Sequence, residues 1–194
     1  MRVWMIHEVT KEETEVLKKL PTTDLLIWDD AVLSQFDAIL DMQEHRHILA
    51  VSTNVANYAS QQTNLSPIFY EPTSASHKRW HEERIATPFM SWDKIKFLLS
   101  QCNNLTVAAH GYNHTRPIKD IRVGVKEFLD DCYKIERDFL NNLSFKPEIY
   151  VYPYNDSPFW SDAVIKKHFG WMTFGKGRLD AKKLFSGEIK LNEV

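Results

Sequence analysis

Short apolar runs alternate along this chain with stretches whose apolar residues recur every three or four positions, and that alternation limits the fold more than any other feature. The runs at 2–9, 24–28, 47–53, 105–109, 149–152 and 171–174 read as strands. Between them, Thr10 with Glu13 three residues on forms a capping box for a helix to about Leu20. A second helix, about 33–44, carries Phe36, Ile39 and Leu40 at helical spacing. Ser91 caps a third, with Trp92, Ile95, Leu98, Leu99 and Cys102 on one face. A long fourth helix, about 118–140, turns Val125, Phe128, Cys132, Ile135 and Phe139 inward, and a fifth covers about 161–169. Strand–helix alternation predicts an α/β fold with a mostly parallel sheet. Residues 57–89 show little periodicity and read as a long loop marked by Pro67, Pro72 and Pro88, the kind of segment that is usually functional or else hides further elements.

A chain of 194 residues is most simply one domain, here 1–194. A net charge of −2 with no basic run gives no electrostatic reason to expect nucleic acid or an anionic membrane as partner. No stretch approaches transmembrane length. The residues from Met1 lack the apolar core of a signal peptide, and Lys11-Glu12-Glu13 follows closely, so the expected location is the cytoplasm. Cys102 and Cys132 sit on apolar helical faces and are expected to be reduced core residues. Nothing here sets the oligomeric state.

In parallel α/β folds, ligands bind beyond the carboxyl ends of the strands. The chemically loaded residues of this chain fall there. His110 and His114 follow the run Leu105–Ala109, and two imidazoles four apart can face one point. Asp29 and Asp30 follow the run at 24–28. Asp30, His110 and His114 together form a two-histidine, one-carboxylate set with open positions, a pattern for a catalytic divalent metal, Zn²⁺ first, with Co²⁺ or Ni²⁺ as alternatives. Asp29 then lies beside the metal, free to act as base. Pro153 and Tyr154 end a further strand on the same rim.

Residues 26–31, Leu-Ile-Trp-Asp-Asp-Ala, resemble the T-F-D-D-G motif of the polysaccharide deacetylases, the NodB-like carbohydrate esterases of family 4. His110-Gly111-Tyr112-Asn113-His114 resembles their H-[ST]-x-x-H motif, and residues 150–155 the F-A-Y-P-Y-G version of their third motif. Residues 90–95 resemble an M-T-W-x-x-I helix start, and 48–53 an A-T-F-F-V-S strand. The resemblance runs in order over about residues 1–175. It implies a distorted (β/α) barrel of fewer than eight strands, with Asp29 as general base, Asp30, His110 and His114 on the metal, and the Tyr154 N–H in the oxyanion hole. It further implies hydrolysis of an N-acetyl group on a sugar or oligosaccharide, with a surface-polysaccharide precursor as the substrate suited to the cytoplasm. Trp28, Tyr112, Tyr154 and Trp160 are candidate walls against sugar faces, with core packing the competing explanation for each.

The departures bear on mechanism. Ala31 replaces the motif's glycine, Gly111 its hydroxyl residue and Val151 an arginine that some members carry, and no histidine follows His168 to supply the usual acid. His7 takes that place best: it ends the first strand, and residues 5–9 resemble the Y-H-x-[VI] opening of the F-A-Y-P-Y-G subgroup. Two other functions stay open: a non-catalytic carbohydrate-binding relative, and a metal-dependent hydrolase of a non-sugar amide.

Overall fold

The computed structural model describes residues 1–170 and 172–191. Its strands are β1 (Val3–Ile6), β2 (Leu25–Trp28), β3 (Arg46–Val51), β4 (Leu105–Ala109), β5 (Ile149–Val151), β6 (Met172–Phe174) and β7 (Leu179–Asp180). Every pairing is parallel, and the spatial order is β6-β5-β4-β3-β2-β1-β7. This is the cyclic order of a barrel opened between β6 and β7, so the strands and their alternating helices form a half-barrel, a distorted (β/α) barrel of fewer than eight strands.

The helices are α1 (Lys11–Leu17), α2 (Ser34–Asp41), α3 (Thr53–Gln61), α4 (Thr73–Glu83), α5 (Trp92–Gln101), α6 (Ile121–Leu143), α7 (Ser161–His168) and α8 (Ala181–Phe185). Local chemistry fixes several of their starts. Both hydrogen bonds of the Thr10–Glu13 capping box are present on α1, and the Ser91 side chain accepts from Lys94 N on α5. Cys102 and Cys132 are buried free thiols. No described helix is long and apolar enough to cross a membrane.

Two corrections concern elements. The stretch read as a long loop holds the later part of α3, which starts at Thr53, and all of α4, and a final pair, β7 and α8, was not foreseen. Of the expected last strand, Trp171 lies outside the described residues.

Strand alternation sorts the sheet into two faces. Trp4, Ile6, Leu26, Trp28, Leu49, Val51, Val107 and Ala109 join the core that includes Leu17, Ile39, Ile95, Phe128 and Ile135 of the helices. Leu25, Ile27, Ile48, Ala50, Ala108, Ile149 and Val151 form a separate cluster made of strand residues alone, the inner face of the half-barrel. The same parity continues past the strand ends. Met5 and His7, Ile27 and Asp29, and Ala108 and His110 are each two apart, so the polar residue of each pair follows an inner-face position.

Candidate active site

The register aligns Ile6 with Trp28, Trp28 with Leu49, and Val51 with Ala109, so β1 and β2 end level with Leu49 and β3 and β4 end together two residues further on, at the same rim. His7, Asp29 and His110 each lie one residue beyond the end of their own strand. They line a cleft of ≈ 240 Å³ together with Asp30, His77, His114, Arg116, Tyr154 and Asn155.

Local bonds hold these strand ends. Gln35, fully buried on α2, donates from Nε2 to the carbonyls of His7 at 2.9 Å and Asp29 at 2.7 Å, joining β1 to β2. The start of α3 grips the histidine loop: Asn54 N donates to Tyr112 O at 3.0 Å, Asn54 Nδ2 to Asn113 Oδ1 at 2.7 Å, and the Ser52 hydroxyl to His110 O at 2.8 Å. From the other side Trp80 Nε1 of α4 donates to Asn113 O at 3.2 Å.

The rim is strained. Asp30, Ala31, His114, Tyr154 and Asn155 all have φ between +53° and +77°. Among the described non-glycine residues only Arg84 and Ser144 share that region, and both end helices. Such conformations cost about 1 kcal/mol or more each and gather where function requires them. They also explain a departure in the motif. Gly111 has φ +78°, and a Cβ there would lie 3.2 Å from Pro153 Cγ, so backbone geometry favours glycine at this position.

Asp30 lies at the centre. Its Oδ1 is 2.9 Å from His114 Nε2, 3.3 Å from His110 Nε2 and 3.1 Å from His77 Nε2. None of these contacts is aligned as a hydrogen bond, and the buried Oδ1 has no hydrogen-bond partner. His110 Nδ1 donates to Val151 O at 2.8 Å, which aims its Nε2 at the carboxylate; burial lowers the imidazole's pKa, but Asp30 and Asp29 outweigh it and raise it. Burial works against ionising Asp30, but His114, His77 and His110 outweigh it and hold the carboxyl well below its usual range. Burial drops the His114 imidazole to about 4, so at neutral pH a carboxylate faces a neutral ring.

These donors fit a divalent cation. A tetrahedral Zn²⁺ with bonds of about 2.0–2.1 Å separates its donors by about 3.3 Å, the scale of the contacts around Asp30 Oδ1. The ligand atoms of Asp30, His110 and His114 all lie within 4.8 Å of one another.

Asp29 is placed otherwise. Its Oδ1 accepts from Arg178 Nη1 at 2.6 Å, and the same guanidinium donates through Nη2 to Asn155 Oδ1 at 2.6 Å. The Arg178 side chain is buried, so the carboxylate is held in a fixed direction. An arginine thus reaches this Asp from the loop before β7, not from the third motif, where Val151 stands.

The aromatic residues divide. Tyr154 lines the cleft, 44% exposed, its ring 4.7 Å from that of His114, with the Arg116 guanidinium 4.3 Å above it. Trp28 is a correction. Strand parity turns it to the helix side, where it is fully buried and donates from Nε1 to His47 Nδ1 at 3.0 Å, so it cannot wall a substrate. Tyr112 is also corrected: it packs against the main core under Lys134, 5.1 Å from its ring, and does not line the cleft. Trp160 is buried edge-on against Phe128. Sequence reasoning missed His77 and Arg178. The spacing of His77 and His81 on one helix was the available signal for the first; a lone arginine beside a two-residue strand gave none for the second.

No family model and no curated protein sequence matches this chain. Solved structures do. IcaB from Ammonifex degensii superposes with a TM-score of 0.65 at 15% identity, covering 93% of this chain and 84% of that one. A de-N-acetylase from Aggregatibacter actinomycetemcomitans gives 0.61 at 14%, covering 94% and 81%. The Streptococcus pyogenes deacetylase PplD, solved in complex with acetate, gives 0.58 at 8% and covers 98% of each chain. At these identities the likeness is one of fold: the chain has the architecture of these three structures.

Proposed function

We propose that this protein is a metal-dependent de-N-acetylase, a hydrolase that removes the acetyl group from an N-acetylated sugar of a surface polysaccharide or its precursor. One observation carries the reading: a buried, unpartnered carboxylate oxygen ringed by imidazole nitrogens lies beside a second carboxylate held by a buried arginine. The resemblance of the Asp29-Asp30 and His110–His114 motifs to those of polysaccharide deacetylases, and the deacetylases among the structural neighbours, support the same reaction.

Asp30, His110 and His114 would hold the cation. When bound, it supplies a Lewis acid for the amide carbonyl and lowers the pKa of water. Asp29 takes the proton of the attacking water at its carboxylate, while Arg178 keeps that carboxylate oriented. As the water oxygen bonds to the carbonyl carbon, the Tyr154 amide N–H donates to the developing oxyanion. His7 gives a proton to the sugar nitrogen as the C–N bond breaks, leaving acetate and a free amine. The Tyr154 ring, backed by Arg116, offers an apolar face to the sugar.

Acetate release from N-acetylated hexosamines and their oligomers, measured after chelation and after adding back Zn²⁺, Co²⁺ or Ni²⁺, tests this. Release that disappears on chelation and returns with metal supports the proposal. No release from any N-acetylated sugar, with the cation bound, would contradict it.

A further inference from the structure

We infer that His77 is a fourth protein ligand of the cation at Asp30, His110 and His114, making the site three imidazoles and one carboxylate, with a fifth position left for water or substrate. The inference rests on the reading of those three residues as a cation site and extends it to a helix whose sequence carries no matching motif.

His77 Nε2 stands 3.1 Å from Asp30 Oδ1, within the range spanned by His114 at 2.9 Å and His110 at 3.3 Å. Its ring stacks on His114 with centroids 3.8 Å apart and planes inclined by 10°, so the two rings approach Asp30 side by side. Both ring nitrogens of His77 are buried and without a hydrogen-bond partner. An imidazole that is merely packed would normally donate one nitrogen to a carbonyl or to water, because an unmet buried donor costs about 1–3 kcal/mol. His47 and His110 do engage such carbonyls. A histidine without any such bond, aimed at an equally unpartnered carboxylate oxygen, has the geometry of a metal ligand.

The helix that carries His77 is tied down at both ends of this approach. Glu8, immediately after His7, accepts from Thr73 N at 3.1 Å and from the Thr73 hydroxyl, and Lys182 Nζ donates to the same carboxylate at 2.9 Å. Trp80, one turn beyond His77, bonds the backbone of the His110–His114 loop. His77 is therefore held in register with the loop that supplies two other donors. His81 is one turn further along and more exposed. Its ligand atom lies within 4.8 Å of those of His77 and His114, which defines a competing set without Asp30.

X-ray absorption at the zinc edge of the zinc-loaded full chain counts imidazoles directly, and competition with a chromogenic chelator gives the affinity. The expected result is one zinc with three imidazoles in the wild type and two in His77→Gln. Affinity should fall in His77→Gln and His77→Ala by at least the roughly 10–100-fold that loss of an outer-shell partner costs. His81→Ala should match the wild type. Two imidazoles in the wild type would overturn the inference while leaving the three-residue site intact, and this readout does not depend on any variant folding. An equal loss in His81→Ala would move the cation to His77, His81 and His114 and overturn it as well. A wild-type chain that binds no zinc would overturn it together with the reading on which it rests.

Discussion

The two rims of the sheet each hold buried histidines and a cavity of similar size, ≈ 270 Å³ at the amino rim and ≈ 240 Å³ at the carboxyl rim. They treat those histidines differently. At the amino rim His47 accepts from Trp28 Nε1 through Nδ1 at 3.0 Å and donates to Met42 O from Nε2 at 2.7 Å, so both nitrogens are used. His45 Nε2 meets Leu20 O at 3.1 Å and leaves Nδ1 without a partner. At the carboxyl rim Asp30 Oδ1, His114 Nδ1 and both nitrogens of His77 have no hydrogen bond, and the backbone beneath them is strained. Cavity volume does not separate the rims; hydrogen-bond accounting does. At one rim each histidine is bonded to a carbonyl through at least one nitrogen, whereas at the other His77 has neither nitrogen bonded and faces an unpartnered carboxylate oxygen, a cost that the proposed chemistry explains.

Substitutions at the two rims should therefore move different quantities. Asp29→Asn should lower turnover by roughly 10²–10⁴-fold with the fold and metal content kept, and His7→Ala should lower turnover as well. Steady-state kinetics beside thermal melts check both, and unchanged turnover in either would remove that residue from the mechanism. Trp28→Ala should do the reverse, costing about 3–5 kcal/mol in urea unfolding through a core cavity and an orphaned His47.

His47 itself makes stability depend on pH. Burial lowers its folded pKa to about 4 from an ordinary 6.5, so between these values the unfolded chain takes up a proton that the folded chain refuses. The stabilisation is complete above pH 6.5 and is lost as pH falls towards 4, by up to roughly 3 kcal/mol. His47→Gln should flatten that slope in denaturant titrations across the window; an unchanged slope would assign it elsewhere. The smallest effect is expected of Arg178→Lys, which keeps the charge but loses the fork between Asp29 and Asn155. Turnover should drop about tenfold, close to the value of one charge-assisted hydrogen bond of about 1.5 kcal/mol.

Much of this was legible in the sequence because the fold itself enforces it. Short apolar runs predicted the strands, and parallel topology then required Asp29, His110 and Tyr154 to share a rim. What escaped reading lacked an apolar signature. The buried positions of α4 are Thr73, Ser76 and Trp80, helical in spacing but mostly polar, so hydropathy gave no period and His77 was hidden in an apparent loop. Strand β7 has two residues, too few for alternation, and Arg178 beside it depends on a contact 149 residues away in sequence. Trp28 was misassigned because its neighbour Asp29 faces the cleft. Adjacent strand residues face opposite ways, and the parity that points Asp29 inward turns Trp28 to the helices.

On the proposed reading the carboxyl rim is a cation site and the amino rim is not. Anomalous difference maps from crystals of the zinc-loaded protein, collected on both sides of the zinc edge, test it most directly. The account predicts one strong peak within bonding distance of Asp30 Oδ1, His110 Nε2 and His114 Nε2, absent in His114→Ala. No peak there at full zinc loading, or a peak at His45 and His47 instead, would contradict it.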